Sequence, residues 1–165
     1  MYIENKKTKK VLIIIFIIIC IFIVFKLGIK DIKLINNTKK IEQNLENSFN
    51  RENNTCKSLF DFDYDKAYVF QPYLSKSEME KEIGFKYWKL SETVNEGMMN
   101  ILFVKDNNPI AYLYGYGEDL GYYIDIPIGE YNKYNLDKAK YSVKEEGNSS
   151  GVEKIYNEYT INIEV

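Results

Sequence analysis

An uninterrupted apolar run, VLIIIFIIICIFIVF from Val11 to Phe25, constrains this chain more than any other feature. It contains no charge, no glycine and no proline. As a helix, such a run satisfies its own backbone hydrogen bonds in lipid, which an open strand cannot do. The run of about 15 residues covers roughly 22 Å as a helix. Because the Lys26 amine can reach the interface, the span extends to Ile29, which brings its length close to the roughly 20 residues that cross a bilayer. The run predicts a transmembrane helix over residues 11–29.

A buried core helix, a cleaved signal peptide and a lipoprotein signal each fit this apolar segment less well. A soluble core helix is rarely apolar on every side at this length. A cleaved signal peptide needs small residues after its apolar core, but FKLGIKDIKL follows here. A lipoprotein signal needs small residues before its cysteine, whereas Cys20 follows Ile17, Ile18 and Ile19. We therefore predict an uncleaved signal anchor, with membrane contacts that include Val11, Phe16, Cys20, Phe25 and Lys26.

Lysines flank both ends of the span, so their number does not orient it. The N-terminal flank carries Lys6, Lys7, Lys9 and Lys10, and the C-terminal flank carries Lys26, Lys30, Lys33, Lys39 and Lys40. A short basic tail before a first span normally stays in the cytoplasm. We expect residues 1–10 to be that cytoplasmic tail, and the body to lie outside the cell membrane in a single-pass protein.

Composition limits what the body can do. Residues 30–57 are polar and predict a stalk or linker, which leaves 58–165 for one domain with a core. With 22 basic and 24 acidic residues the net charge is −2, so we expect no nucleic-acid partner. The absence of histidine excludes Ser-His-Asp catalysis and His-ligated metals. Cys56 is the one cysteine after the span, so the body has no internal disulfide.

A thin apolar stripe runs through the predicted stalk, at Leu34, Ile41, Leu45 and Phe49. Its spacing, mostly by four, predicts a helix that continues the membrane helix. The stripe is shorter than the about three to four heptads that identify a coiled coil, so the oligomeric state stays open.

Alternating and continuous apolar runs predict an α+β domain with a small antiparallel sheet. Strands are expected at residues 64–73, 97–106, 110–116, 122–128, 139–143 and 159–165. Turns are expected at Asn107-Asn108-Pro109 and at Gly117–Gly121. One short helix should follow the first strand, with Ser75 as N-cap, Glu78 completing a capping box and Gly84 ending it.

Three aspartates alternate with aromatic residues in LFDFDYDK. Strand periodicity places Asp61, Asp63 and Asp65 on one wet face, and aligned carboxylates invite a cation, so they are a candidate metal site. An EF-hand is excluded, because its sixth and twelfth positions hold Lys66 and Pro72. The alternative is a solvated face without an ion.

Tyrosines are most frequent between Tyr112 and Tyr123, in the second strand of the predicted hairpin and at the start of the strand that follows it. Alternation puts those of one strand on one face, where a cross-strand ladder that closes the core is one interpretation. The other is an aromatic platform that binds a glycan, a peptide or a protein. The candidate binding residues are Tyr112, Tyr114, Tyr116, Tyr122, Tyr123 and Trp88.

No residue is predicted to be catalytic. Cys56 lacks a histidine base. The acids near turns, Glu92, Glu96, Glu118 and Asp119, are candidates for a glycosidase pair, but solvated turn acids are the better explanation. We predict no cofactor and no enzymatic activity, with a wall-glycan hydrolase using Glu92 and Glu118 as an alternative.

Two segments resemble a group of uncharacterised small bacterial envelope proteins, membrane-anchored or lipoprotein-like. They are FDFDYDKAYVFQPYLSKSEMEKEIG (Phe60–Gly84) and NILFVKDNNPIAYLYG (Asn100–Gly115). In that group a strand of the form F-D-W-D-K-x-Y-x-F-x-P-Y precedes a short helix and a hairpin. This chain has Tyr64 where the group often has Trp, and it lacks the lipoprotein cysteine context. The resemblance covers half of the body and implies a location and a fold type, not a chemistry.

These observations favour a membrane-anchored, extracytoplasmic binding module of the cell envelope. Its partners would be the lipid bilayer, through residues 11–29, and a protein or glycan of the envelope. An immunity-type inhibitor that blocks an incoming toxin is the alternative function. The sequence does not identify the ligand.

Overall fold

A computed structural model of the protein describes residues 6–47, 55–147 and 157–164. The chain divides into two units, Met1–Lys33 and Leu34–Val165. The first helix, α1, covers Lys6–Glu46 and so contributes to both units.

The first unit is helical where the sequence predicts a span. The side chains of Val11, Phe16 and Cys20 are exposed, and at Phe25 and Lys26 the structure describes the helical backbone alone. Within the part of the chain that the structure describes, no helix combines the length and the apolar character needed to cross a bilayer.

A four-stranded antiparallel sheet forms the centre of the second unit. Its strands, in the order β3-β2-β1-β5, are β1 (Lys66–Val69), β2 (Met98–Lys105), β3 (Asn108–Tyr116) and β5 (Gly129–Asn132). Asp106 and Asn107 join β2 to β3, and both have positive φ, as a two-residue type I′ hairpin requires. The α+β class is confirmed, while this turn lies one residue earlier than predicted.

A second sheet has three strands in the order β4-β7-β6. Here β4 (Tyr122–Asp125) is parallel to β7 (Asn157–Glu164), which is antiparallel to β6 (Lys140–Gly147). The parallel pair corrects the wholly antiparallel prediction. Local alternation cannot reveal it, because the two strands lie far apart in the sequence and join through a long connection.

The second unit contains four short helices among its described residues, where the sequence predicts one. They are α2 (Cys56–Leu59), α3 (Lys76–Ile83), α4 (Gly117–Leu120) and α5 (Lys133–Lys138). The predicted helix is α3. Ser75 and Glu78 form the expected capping box, and Gly84 ends the helix in the left-handed conformation. The other three are too short for a 3.6-residue period to appear in the sequence.

Both faces of the four-stranded sheet are buried. On one face Leu102 and Val104 pack with Met79 of α3. On the other face Phe103 packs with Ile41 of α1 and with residues of α2, α5 and the second sheet. Six consecutive residues of β2 are buried as a result, which explains the continuous apolar run of this central strand.

The end of α1 covers the outer edge of β3. The side-chain amide of Asn37 donates to the Ile110 carbonyl at 2.8 Å, and the Thr38 hydroxyl accepts from the Tyr112 N–H at 3.2 Å. These two side chains take the place of a neighbouring strand, because an edge strand otherwise leaves such backbone groups unpaired.

The apolar stripe of the predicted stalk packs into the domain. Leu34 is partly buried, and Ile41 and Leu45 are buried in the core, while the Asn44 amide donates to the Leu59 carbonyl at 2.9 Å. The second unit therefore includes helical residues assigned from sequence to the stalk, because their apolar side is covered by the sheet. Phe49, the last member of the stripe, lies outside the described residues.

Candidate functional site

Tyr112 holds the loop after α3 against the sheet. Its hydroxyl donates to Asn100 Oδ1 at 3.1 Å and accepts from the Ser91 N–H at 3.1 Å. Asn100 is 3% exposed, and its amide donates to the Ser91 carbonyl at 3.0 Å. Burial raises the pKa of Tyr112. The network gives partners to polar groups that would be costly to bury alone.

Tyr114 makes a similar contact one residue further along the loop. Its hydroxyl donates to the Glu92 carbonyl at 2.9 Å, and its ring stacks on Tyr112 with centroids 5.8 Å apart. Tyr116 is half-buried. Trp88 lies on the loop after α3, which Tyr112 and Tyr114 contact, and it is 77% exposed. The hydroxyls of Tyr112 and Tyr114 thus form hydrogen bonds within the fold, whereas Trp88 faces solvent.

Tyr122 and Tyr123 lie on the second sheet. Tyr122 is buried, its hydroxyl has no hydrogen-bond partner among the described residues, and burial raises its pKa. Tyr123 is half-buried. Tyr112 packs against the cluster on the α3 side of the four-stranded sheet, whereas Tyr122 and Tyr123 belong to the cluster on its other side. The structure therefore does not bring the six predicted aromatic residues into one platform.

The three aspartates of the candidate metal site are not buried, as alternation predicts, but each has a lysine partner. Lys40 lies 3.0 Å from the Asp61 carboxylate, and Lys105 lies 3.0 Å and 3.3 Å from those of Asp63 and Asp65. A hydrogen bond from the Asp106 N–H, with Lys105 nearby, lowers the pKa of Asp65. Among the described residues no group of three or more possible metal ligands gathers, so these acids pair with lysines instead of forming a metal cluster.

Cys56 is closed off from solvent. It is 0% exposed, and burial raises the pKa of its thiol to about 12, so the nucleophilic thiolate is absent near neutral pH. Nearby, the Tyr64 hydroxyl donates to Asp137 Oδ1 at 2.8 Å, and Lys133 lies 3.2 Å from the same carboxylate. These groups stabilise the core and do not line either of the cavities described below.

An open groove lies where β1 ends. β1 stops at Val69, and Pro72 lacks the N–H that would extend its pairing with the start of β2. The outer edge of β4 faces the same space, where the Ile124 N–H lies 3.1 Å from the Met99 sulfur. The space between has a volume of about 280 Å³. We call it the β1–β4 groove; its apolar lining includes Val69, Phe70, Met99, Tyr123, Ile126 and Ile128.

The charged side chains of this groove are both acidic. Glu96 precedes β2, and Asp125 ends β4. Neither carboxylate has a lysine partner within the described part of the chain. Burial and the Asp125 carboxylate raise the pKa of Tyr123. The negative charge of Asp125 therefore lies close to the Tyr123 ring in the groove.

A second cavity of about 350 Å³ adjoins the groove through Val69 and Ile128, and it adds Glu82 and Glu130 to the rim. No lysine or arginine of the described residues lines either cavity, although the whole chain carries 22 basic against 24 acidic residues. Glu130 is paired with Lys66 at 2.6 Å, so the local negative charge of this surface comes from Glu96, Asp125 and Glu82.

The sequence does not predict the groove. Glu96 is expected as a turn acid and Asp125 as the wet side of a strand, and no local pattern brings them together. Two features of the sequence occur at the groove. Pro72 and Pro127 lie where strand pairing ends, and Ile128 is a large apolar residue that is 60% exposed in the structure. At both places the strand pairing ends while apolar residues continue.

No family model matches this chain, and no curated protein or solved structure matches it either.

Proposed function

We propose that this protein is a single-pass membrane protein of the cell envelope whose extracytoplasmic domain acts by binding a partner. The observation that carries the proposal is the β1–β4 groove, an open cavity in the folded domain whose charged lining residues are both acidic. Binding sites are concave and mostly apolar, with a few polar groups that set specificity, and volumes start at about 300 Å³. The groove is close to this size and combines apolar residues with two carboxylates, and polar and apolar atoms contribute about equally to its surface.

The apolar run Val11–Ile29 supports the membrane anchor. Lys26 alone interrupts it with a charge, near the end where its amine reaches the interface. The basic tail of residues 1–10 supports a cytoplasmic N-terminus. The resemblance of Phe60–Gly84 to bacterial envelope proteins supports the same location.

Placement of the acidic residues favours binding over hydrolysis. Glu92 and Glu118, the acids of the hydrolase alternative, do not line either cavity. Glu92 instead accepts a hydrogen bond from the Lys76 N–H at 2.7 Å. A role in packing the loop explains this carboxylate without any chemistry.

Site-specific cross-linking in cells tests the binding role. A photoreactive residue at Ile128, which is 60% exposed and lines both cavities, should form a discrete adduct with an envelope component. The matched control is the same residue at Tyr134, which is 68% exposed on α5 and outside both cavities. Identical adduct patterns at the two positions would contradict a binding role for the groove. An adduct only with a toxin added from outside would favour the immunity-type inhibitor.

The orientation has its own test. Val94 is 73% exposed, so Val94→Cys in a Cys20→Ser, Cys56→Ser background provides an accessible thiol in the domain. A membrane-impermeant maleimide should label it in intact cells. Labelling only after permeabilisation would place the domain in the cytoplasm and overturn that part of the proposal.

A further inference from the structure

We propose that the loop after α3 (Gly84–Ser91) rests on the negatively charged lipid surface of the membrane that anchors the chain. This inference rests on the membrane anchor proposed above, and it concerns a surface apart from the groove, because no residue of the loop lines either cavity. Three properties of the loop support it: an exposed tryptophan, lysines around that residue, and a position beside the start of the domain.

The first property is the exposed tryptophan. Trp88 is the one tryptophan of the chain, and it is 77% exposed, although Tyr87 and Leu90 on either side of it are buried. The fold thus holds the loop through its neighbours and leaves the indole ring in solvent. Tryptophan is enriched where a membrane meets water, because its ring is apolar while its N–H stays hydrated.

The second property is charge. The loop carries Lys86 and Lys89 and no acidic residue. Lys89 Nζ lies 5.0 Å from the centroid of the Trp88 ring, and Lys76 Nζ donates to the Trp88 carbonyl at 2.7 Å. Amines beside an aromatic ring match a membrane surface, where negatively charged headgroups cover an apolar layer.

The acidic residues of this region have roles within the fold. Glu78, Glu80 and Glu92 each accept a hydrogen bond from a backbone N–H, and Glu82 lines the second cavity. The loop itself therefore presents lysines with no carboxylate between them, which is the charge that a surface of lipid phosphate groups attracts.

The third property is position. Leu34 is the first residue of the second unit, and it packs in the same cluster as Phe85 and Tyr87, on the α3 side of the sheet. The proposed span ends at Ile29, and five residues reach at most about 18 Å even when they are fully extended. The bilayer proposed for that span is therefore within reach of the α3 side of the domain.

The fluorescence of Trp88 tests the contact, since no other tryptophan contributes to it. The full-length protein is reconstituted into lipid nanodiscs of phosphatidylcholine with or without phosphatidylglycerol, which leave both membrane surfaces open to water. In discs that contain phosphatidylglycerol, lipids brominated in their acyl chains should quench most of the Trp88 emission, and acrylamide in the water should quench little of it. In discs of phosphatidylcholine alone, acrylamide should be the stronger quencher.

A matched control moves the tryptophan to the opposite face of the sheet. Trp88→Tyr with Tyr134→Trp places it on α5 at a position that is 68% exposed, and Leu136 of α5 belongs to the cluster on that other face. Brominated lipid should leave the emission of this variant unchanged, and acrylamide should quench it in both kinds of disc.

Two double variants and a change of salt test the role of charge. Lys86→Gln with Lys89→Gln should weaken docking up to about 25-fold, because each lysine at a negatively charged surface contributes about fivefold. Lys57→Gln with Lys138→Gln removes two exposed lysines of α2 and α5 and should leave docking unchanged. Circular dichroism spectra that match the unchanged protein establish that each variant is folded.

Salt acts on the unchanged protein. A rise of the NaCl concentration from about 0.1 M to about 1 M shortens the Debye length from about 10 Å to about 3 Å. It should therefore release the loop and restore quenching by acrylamide.

Three results would overturn the inference. They are quenching of Trp88 by brominated lipid no stronger than that of the control tryptophan on α5, equal quenching in the two kinds of disc, and unchanged docking of the folded Lys86→Gln, Lys89→Gln variant. None of them would remove the anchor if the protein stays in the membrane during extraction with alkaline carbonate. Release by carbonate would instead remove the proposed anchor, and this inference with it.

Discussion

Two strand edges in this domain are covered in different ways. At the edge of β3, α1 supplies Asn37 and Thr38, whose side chains bond to backbone groups of the strand. At the edge of β4 the Ile124 N–H meets only a thioether sulfur within the described part of the chain. Proteins cover or blunt exposed edges to prevent unwanted pairing. Ile124 and Met99 are both buried, so an apolar side chain covers the edge of β4, and the acidic groove lies beside it.

The exposure of nearby side chains also differs between the two edges. Ile41, which holds α1 against the closed side, is 0% exposed. In the groove beside the edge of β4, Ile128 is 60% exposed and two carboxylates lack lysine partners among the described residues. Stability should thus depend on the contact between α1 and β3, and recognition on the groove.

The largest expected contrast is in thiol labelling. In a Cys20→Ser background, Cys56 should react with a maleimide at pH 7.5 at least about a thousandfold more slowly than Ile128→Cys in a Cys20→Ser, Cys56→Ser background. The reason is that Cys56 is buried with a raised pKa, and opening of a stable core costs about 5 kcal/mol or more. Mass spectrometry follows both rates. Comparable rates would mean that the core around Cys56 opens freely.

Truncation of the α1 contact should give the largest loss of stability. Ile41→Ala should lower the free energy of unfolding by about 2–5 kcal/mol, because it leaves a cavity in the core. The control Ile35→Ala changes a residue of the same helix that is 48% exposed, and it should change the free energy by less than about 0.5 kcal/mol. Urea denaturation measures both, and equal losses would contradict the docking of α1 on the sheet.

Removal of one hydroxyl should weaken the closed side further. Tyr112→Phe leaves the buried Asn100 side chain and the Ser91 N–H without that partner, and it should cost about 1–3 kcal/mol. Tyr134→Phe removes a hydroxyl from a residue that is 68% exposed, so little change is expected. A Tyr112→Phe protein of unchanged urea midpoint would show that the network does not stabilise the loop.

Acid should reveal a smaller contribution at the hairpin turn. Because the folded-state pKa of Asp65 lies below its ordinary value of 3.8, its carboxylate stabilises the fold above that pH. The contribution is lost as pH falls from 3.8 through the lower folded-state pKa. Asp65→Asn should therefore lower the urea midpoint at pH 7 more than at pH 3. A midpoint shift of the same size at both values would exclude the ionised Asp106–Asp65 contact as its cause.

The smallest effect is expected in the groove. Glu96→Gln with Asp125→Asn should change the free energy of unfolding by less than about 0.5 kcal/mol, because these exposed carboxylates have no lysine partner among the described residues. Urea denaturation at pH 7 provides the measurement. A loss above about 1 kcal/mol would mean that the acids belong to the structural side of the comparison.

Local chemistry makes part of this fold predictable. The helix α3 is predicted with both ends, since Ser75, Glu78 and Gly84 act through neighbouring backbone groups. The hairpin of β2 and β3 is predicted because its turn and its apolar strands are contiguous in the chain. Such features depend on interactions within a few residues, which a single sequence displays.

The groove and the closed edge depend on contacts between distant segments. Glu96 and Asp125 line one cavity only because β4, which joins a separate sheet through β7, lies beside the start of β2. Thr38 meets Tyr112 across 74 positions of the chain, and the polar residues around it resemble any solvated helix surface. A local pattern contains neither pairing, so the candidate site is not predicted from the sequence.

The contact between α1 and β3 also determines where this domain can be cut. A fragment that begins at residue 58, where the polar sequence ends, would lack Asn37, Thr38 and Ile41, and the backbone of β3 from Ile110 to Tyr112 would lose its cover. Two such fragments could then pair through their bare strands, a familiar route to insoluble protein. A fragment for expression of the isolated domain should therefore begin before Leu34, so that it includes the residues of α1 that cover β3.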